Sequence, residues 1–218
     1  MLKKIASSAI IPRALPFIVF AAITFIQGQF GDVAQYWLYG LKSVIGAWML
    51  WVFRPYLKEM VWKVSWEAVV IGVLVFIAWV GLDGHYPLLM SRASTFNPER
   101  TFGSGSIQAW ISIAVRIIGS SLVVPPLEEV FYRSFLYRYT IRKEFLKVPL
   151  NAFDFRAFVF TAVVFGIGHF EILPGILCGF AYQWLVYRKN RLGDAITAHS
   201  ITNLLLGIWI VLFKQYHF

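Results

Sequence analysis

The sequence predicts an all-α protein, a polytopic membrane helix bundle of about eight helices, one of them either entering without crossing or spanning in full. Three observations predict it. Of the 218 residues, 59% are hydrophobic and only 14% charged, against about 25% charged in an ordinary soluble domain. The mean hydropathy is +0.67. Apolar runs of span length also recur along the chain, with basic residues gathered between them. A soluble chain of this size has nowhere to hide so much apolar surface, because even a domain of about 150 residues leaves roughly 30% of its chain surface in water. Eight spans of roughly 20 residues account for about 160 residues. That leaves short connections and a single membrane domain over 1–218, divided into N-terminal spans and loop (1–106) and a helical core (107–218).

The first apolar run, Ala14 to Phe30, follows Met1-Leu2-Lys3-Lys4 in the manner of a signal peptide. No small-x-small cleavage site follows near Gln27-Gly28-Gln29, so a retained first span is expected. Further spans are expected at Val33 to Phe53, Ala68 to Leu82 and Ile107 to Val124, and again at Ala152 to His169, Ile172 to Tyr187 and Ala195 to Phe213. The connection Asp83 to Ser106, with Pro, Asn and Gly103-Ser104-Gly105-Ser106, reads as a flexible surface loop. Between the fourth and fifth runs, Pro125 to Arg138 is helical by pattern. Its prolines suit a helix start, and Glu128 and Glu129 suit the positive end of the dipole. Gly175 and Gly179, after Pro174, form a small-xxx-small pair that lets one helix approach another closely.

The net charge of +9 points in this setting to anionic lipid headgroups and not to nucleic acid. Lys3, Lys4 and Arg13 before the first span, and Arg54, Lys58 and Lys63 after the second, place the N-terminus in the cytoplasm, and an inner (plasma) membrane location is expected. If the Glu-rich helix crosses in full, the clusters Arg138-Arg142-Lys143-Lys147 and Arg188-Lys189-Arg191 fall outside. If it enters without crossing, both stay inside, so charge favours seven full spans and one partial helix, while length alone permits eight full spans. Cys178 is the lone cysteine and excludes an intrachain disulfide.

Ionisable groups within apolar helices are costly, roughly 2.5–3.5 kcal/mol each on insertion scales, and so mark function. Glu129 and Arg133 stand four apart with the acid first, the favourable order for a same-face pair. Glu128 lies about 100° round the helix, so one arginine cannot satisfy both acids and Glu128 is left free. Phe165 and His169 share a face at i,i+4, as do His199 and Asn203. Lipid can satisfy none of these groups, which must meet each other or water. Together they form the inventory of a hydrolytic site, in which Glu takes a proton from water while His and Asn donate to an oxyanion. Glu171, two residues beyond His169, is a candidate orienter of that imidazole. Lys42 and Arg116, mid-span, read as snorkelling or packing charges.

Glu-Glu-x-x-x-Arg at Glu128 to Arg133, Phe-x-x-x-His at Phe165 to His169 and His-x-x-x-Asn at His199 to Asn203 resemble, in this order, the three motifs of the CAAX prenyl protease and bacteriocin-processing family. The similarity runs from about Leu122 to Leu206. The ending Thr197 to Gly207 is also similar to the bacterial, exosortase-associated CAAX protease-related branch. The resemblance implies an intramembrane endopeptidase acting on a peptide or lipidated peptide. Glu128 would activate water with His169, His199 and Asn203 would hold the oxyanion, and Glu129, Arg133, Phe165 and Glu171 would be accessory. Glu128, His169 and His199 match the ligand count of an open zinc site, although a glutamate-activated water needs no metal and no His-Glu-x-x-His is present. A cytoplasmic opening of the site is expected. Two other readings are a proton-coupled transporter and an exosortase-like cysteine transpeptidase using Cys178, whose apolar surroundings do not activate a thiol.

Overall fold

A computed structural model describes residues 8–86 and 96–218; Lys3 and Lys4 lie outside the described residues. Eight helices form the described chain: α1 (Ile11–Gln27), α2 (Ala34–Phe53), α3 (Trp66–Gly81), the short α4 (Pro98–Phe102), α5 (Ile107–Ile141), α6 (Phe155–Ile167), α7 (Ile172–Lys189) and α8 (Gly193–Phe213). No strand occurs among the described residues. The stretch Ile11–Phe30, α5 and α8 are long and apolar enough to cross a membrane. Tryptophans such as Trp37, Trp48, Trp51 and Trp110 point outward from the bundle. One core joins the helices, drawing Met49 from α2, Val75 from α3, Val130 from α5, Phe165 from α6, Leu185 from α7 and Ile196 from α8.

The Glu-rich helix differs from expectation. It neither starts at Pro125 nor enters on its own, but continues the fourth apolar run as the second half of the 35-residue α5. Two wide π turns, Gly119–Val123 and Val130–Leu136, make this continuity work. A proline mid-helix has no N–H to donate and clashes with the carbonyl four residues earlier. The π turn just upstream of Pro125 and Pro126 opens the ladder so that Val124 N–H bonds to Gly119 O, one residue further back than in an α-helix.

This fusion removes the conflict in the charge count. With one continuous helix where two were expected, the clusters at 138–147 and 188–191 come to the same end of the bundle as Arg13 and Lys63. Glu59 binds Arg13 and Arg138 there, Lys189 binds Glu67, and Thr197 donates to the Lys63 carbonyl. At the opposite end, His217 meets Asp83 and Tyr86 meets Glu171.

The described part of the connection after α3, from residue 96 on, is more structured than a surface loop, and residues 87–95 lie outside the described residues. Asn97 caps α4 through its side chain, and Phe96 and Phe102 pack on Tyr36 of α2. The small-residue pair behaves as expected. A Cβ on Gly179 would lie 2.6 Å from Ala162 Cα, and one on Gly175 2.9 Å from Gly166 Cα, so α7 rests directly on the α6 backbone.

Candidate active site

α5, α6 and α8 bring the motif residues to one cavity of about 280 Å³, lined by Glu128, His169, His199 and Asn203 together with Phe165 and Tyr182. On the turns of α7 and α8 nearer the basic clusters, Leu185, Val186, Ala195 and Ile196 are fully buried and do not line it. The lining extends to Phe170, Glu171, Tyr216 and His217 toward the other end of the bundle.

The two adjacent glutamates have different fates. Glu129 is wholly buried. Its Oε1 lies 3.0 Å from His199 Nδ1, and its Oε2 lies 3.1 Å from Arg133 Nε without hydrogen-bond alignment. Arg133 is equally buried, sits 4.4 Å over the Phe165 ring and donates to the Gly179 carbonyl at 3.4 Å. Gly179 thus does two things, letting α7 close on α6 and offering its carbonyl to the guanidinium. Glu128 has no arginine partner among the described residues. Its Oε2 is buried, makes no hydrogen bond, and lies 3.9 Å from His199 Nε2. The expectation that one acid is tied and the other left free therefore holds, with an addition that helical spacing could not supply: the tied acid also grips His199, from 70 residues away.

The grip on His199 has a chemical consequence. A carboxylate only accepts, so Nδ1 carries the proton toward Glu129 and Nε2 is the nitrogen turned to Glu128. Tyr182 stacks on the imidazole at 5.1 Å and Phe165 meets it edge-on at 5.9 Å, which fixes the ring plane. Phe165 also contacts His169, which is held on its other side by Trp79. His169 Nδ1 faces the Phe165 carbonyl at 2.8 Å. Glu171 does not orient this imidazole; it accepts from the Tyr86 hydroxyl. Its place is in the outer wall of the cavity.

Asn203 is positioned by the prolines. With Val124 N–H committed to Gly119 O, the next donor due in the wide turn is Pro125, which has none. The orphaned Ser120 carbonyl accepts from Asn203 Nδ2 at 2.8 Å instead. One amide hydrogen of Asn203 is committed by this bond, and the second is free to donate.

Among the described residues no three His, Cys, Asp or Glu side chains converge to hold a metal ion. Glu128, His169 and His199 line one cavity, and each imidazole has its Nδ1 engaged and its Nε2 left over. Cys178 also lines the cavity, but its thiol lies 4.0 Å from the Tyr182 hydroxyl and no imidazole bonds to it. Lys42 and Arg116 do not snorkel. Lys42 donates to Thr24 and lies over Phe20 and Tyr39, whereas Arg116 lines the cavity. The tail gave no sequence signal, yet it too reaches the cavity, with His217 Nε2 3.0 Å from Asp83.

A second buried ionic cluster sits on the next turns of α5. Glu59 Oε1 takes Arg13 Nε at 2.7 Å, Ser134 Oγ at 2.5 Å and Arg138 Nη2 at 3.4 Å. Burial alone would raise this carboxyl, but the bonds from Arg13 and Ser134 outweigh it and hold Glu59 below its ordinary 4.5.

Compared with known proteins, residues 109–205 match the family described as type II CAAX prenyl endopeptidase, Rce1-like. No curated protein and no solved structure matches the chain.

Proposed function

We propose, from the premise that residues 109–205 belong to the Rce1-like type II CAAX prenyl endopeptidase family, that this integral membrane protein hydrolyses a peptide bond with a water activated by Glu128. The observation that carries the reading is the unpaired Glu128 carboxylate, 3.9 Å from an imidazole nitrogen whose partner nitrogen is locked by Glu129. That gap is too long for a direct bond, and a water lying off the line between the two groups touches both. Glu128 takes one proton of this water as its oxygen attacks the scissile carbonyl carbon. The developing oxyanion accepts from the free amide hydrogen of Asn203 and from an Nε2–H of His199. Glu128 then returns its proton to the leaving nitrogen as the C–N bond breaks. His169, ring-on-ring with Phe165, leaves Nε2 available to the same water or to the substrate. Arg133 acts at one remove, by holding Glu129.

The arrangement of charge supports an N-terminus in the cytoplasm. Arg13, Lys63, Arg138 and Lys189 share one end, where basic residues belong on the cytoplasmic side, and anionic lipids are the partners expected there. The fully buried turns of α7 and α8 lie toward that end, and the cavity lining extends away from it. We therefore assign the opening to the non-cytoplasmic side, in place of the cytoplasmic opening expected from sequence. The substrate is a peptide or lipidated peptide that reaches the cavity from there.

The test is hydrolysis by the purified full chain in lipid nanodiscs, read by mass spectrometry on a library of apolar peptides. Cleavage by the wild type that is lost in Glu128→Gln, His199→Gln and Asn203→Ala is expected. Cleavage that persists in all three overturns the assignment.

A further inference from the structure

The buried residues of α3 are Ala68, Gly72, Val75 and Trp79, spaced four, three and four apart, so they share one face of the helix. α3 lies outside the stretch 109–205 that matches the family and carries none of the three motifs. That face nevertheless reaches both cavity imidazoles, from two places about two turns apart. The first place is Gly72. A Cβ there would lie 2.6 Å from the Ala198 carbonyl oxygen and 2.9 Å from Ile201 Cβ, so α3 rests directly on α8. This approach brings the Gly72 carbonyl to 2.8 Å from the Thr202 hydroxyl, which also lies 3.1 Å from the Ala198 carbonyl. The Thr202 hydroxyl donates its one proton to these carbonyls and accepts from the Tyr182 hydroxyl at 2.8 Å. Tyr182 is fully buried, with its ring 5.1 Å from that of His199 and inclined to it by 23°. The second place is Trp79, whose indole meets His169 edge-on at 5.5 Å and 71°.

Each imidazole is held by one hydrogen bond, at Nδ1: His199 to Glu129 at 3.0 Å, and His169 to the Phe165 carbonyl at 2.8 Å. One bond fixes one ring atom and leaves the ring free to turn about the line of that bond, which swings Nε2. Packing contacts must therefore set the ring planes if Nε2 is to stay on the reacting atoms. Phe165 touches both rings. The second contact on each comes from α3, directly by Trp79 and from Gly72 by way of Thr202 and Tyr182. The hydroxyl bond is what makes the Tyr182 ring a fixed surface, because the side chain is rooted in α7 at one end and tied to α8 and α3 at the other.

We infer that the Gly72 and Trp79 face of α3 is the positioning element of both cavity imidazoles, setting His199 through Thr202 and Tyr182 and His169 through Trp79. The effect on turnover rests on the peptidase reading above, whereas the effect on the rings does not. These residues act through the two histidines and take no part in bond breaking.

Ring order is measured by solid-state NMR on the full chain in lipid bilayers with isotope-labelled histidine, so that the readout needs no substrate. Signals are assigned by substituting each histidine in turn, and the exposed His85 is the internal control. Thr202→Val keeps the volume and removes the hydroxyl, while Thr202→Ser keeps the hydroxyl and removes a methyl. Thr202→Val is expected to loosen the His199 ring and to leave His169 and His85 as they are, and Thr202→Ser to match the wild type. A role in packing alone predicts the reverse order. Tyr182→Phe removes the same tie from its other end and should loosen His199 likewise, which tests the inference even if Thr202→Val does not fold. Trp79→Leu should loosen His169 alone, with Trp79→Phe falling between. On a peptide that the wild type cleaves, Thr202→Val should lower kcat by about 10–100-fold and leave KM within about twofold, the pattern of a misplaced catalytic group. The inference is overturned if His199 is unmoved by Thr202→Val and Tyr182→Phe, if Thr202→Ser loosens it as much as Thr202→Val, if Trp79→Leu leaves His169 unmoved, or if every variant loosens both rings together. A wild type that orders both rings and cleaves no peptide counts against the peptidase reading alone.

Discussion

Two buried clusters of Glu and Arg stand on successive turns of α5, and they are finished differently. At the basic end, Glu59 accepts from Arg13, Ser134 and Arg138, and the two arginines spend their remaining donors on the Tyr56, Ala9 and Val148 carbonyls. In the cavity, Glu129 and Arg133 serve each other and His199, while Glu128 keeps a buried oxygen with no partner. Both clusters remove charge from lipid at similar expense. A saturated cluster has no capacity left for a substrate or a water, so it holds helices together. An unsaturated one retains an acceptor where a proton can go, and that difference separates a structural ion network from a reactive one.

The largest effect that can break this contrast is on activity. Glu128→Gln removes the acceptor and should lower kcat/KM by about 10²–10⁴-fold, the usual range for a general base, with the melting temperature unchanged or raised. Glu59→Gln, a change of the same chemistry in the saturated cluster, should do the reverse. Turnover per folded molecule is kept while stability falls, by up to about 3–5 kcal/mol, the loss seen when one partner of a buried pair is removed. Thermal unfolding and peptide hydrolysis on the same preparations check both. If the two substitutions give the same pattern, saturation does not distinguish the clusters.

Glu129 lies between these extremes, because it is both structural and adjacent to chemistry. Glu129→Gln should lower kcat by about 10–100-fold, as loss of a carboxylate behind a working histidine does, and should destabilise the protein by leaving Arg133 unpaired. The double variant Glu129→Gln with Arg133→Met removes both charges. It should recover stability without recovering kcat, and recovery of both would mean that the grip on His199 carries no weight.

The helices could be read from the sequence because membrane spans announce themselves by apolar length, and the observed helices lie within a few residues of the expected runs. The freedom of Glu128 was also legible, since helical geometry lets Arg133 serve only one of two adjacent acids. The continuity of α5 was not. Pro125-Pro126 carries the local signal of a helix start, and nothing local says that a π turn will absorb it. Long-range pairings were equally silent. Glu129 to His199 joins α5 to α8, and Asn203 answers a carbonyl orphaned by Pro125. Glu171 shows the opposite error, where nearness in sequence suggested a grip on His169 and the side chain turns to Tyr86.

A smaller effect tests the platform under the reactive cluster. Gly179→Ala puts a methyl 2.6 Å from Ala162 Cα, so α6 and α7 must part. Overpacking of this kind costs about 1–3 kcal/mol. The same shift moves the carbonyl that Arg133 uses, so kcat should fall with stability. A substitution that lowers the melting temperature alone would separate the platform from the site.

The smallest effect concerns acid. The folded protein keeps Glu59 ionised to a lower pH than the unfolded chain does, since the bonds from Arg13 and Ser134 overcome the penalty of burial. Stability from this source is fully present above the ordinary 4.5, begins to fail as pH drops through that value, and is gone below the lowered value of the folded state. Melting temperature followed from neutral pH down through 4.5 should fall less steeply in Glu59→Gln than in the wild type, because the amide has no proton to gain. The difference should vanish above that pH apart from a constant offset. Parallel acid limbs in the two proteins would mean that Glu59 is held by packing and not by charge. The basic-end cluster would then lose the electrostatic saturation on which its contrast with the cavity depends.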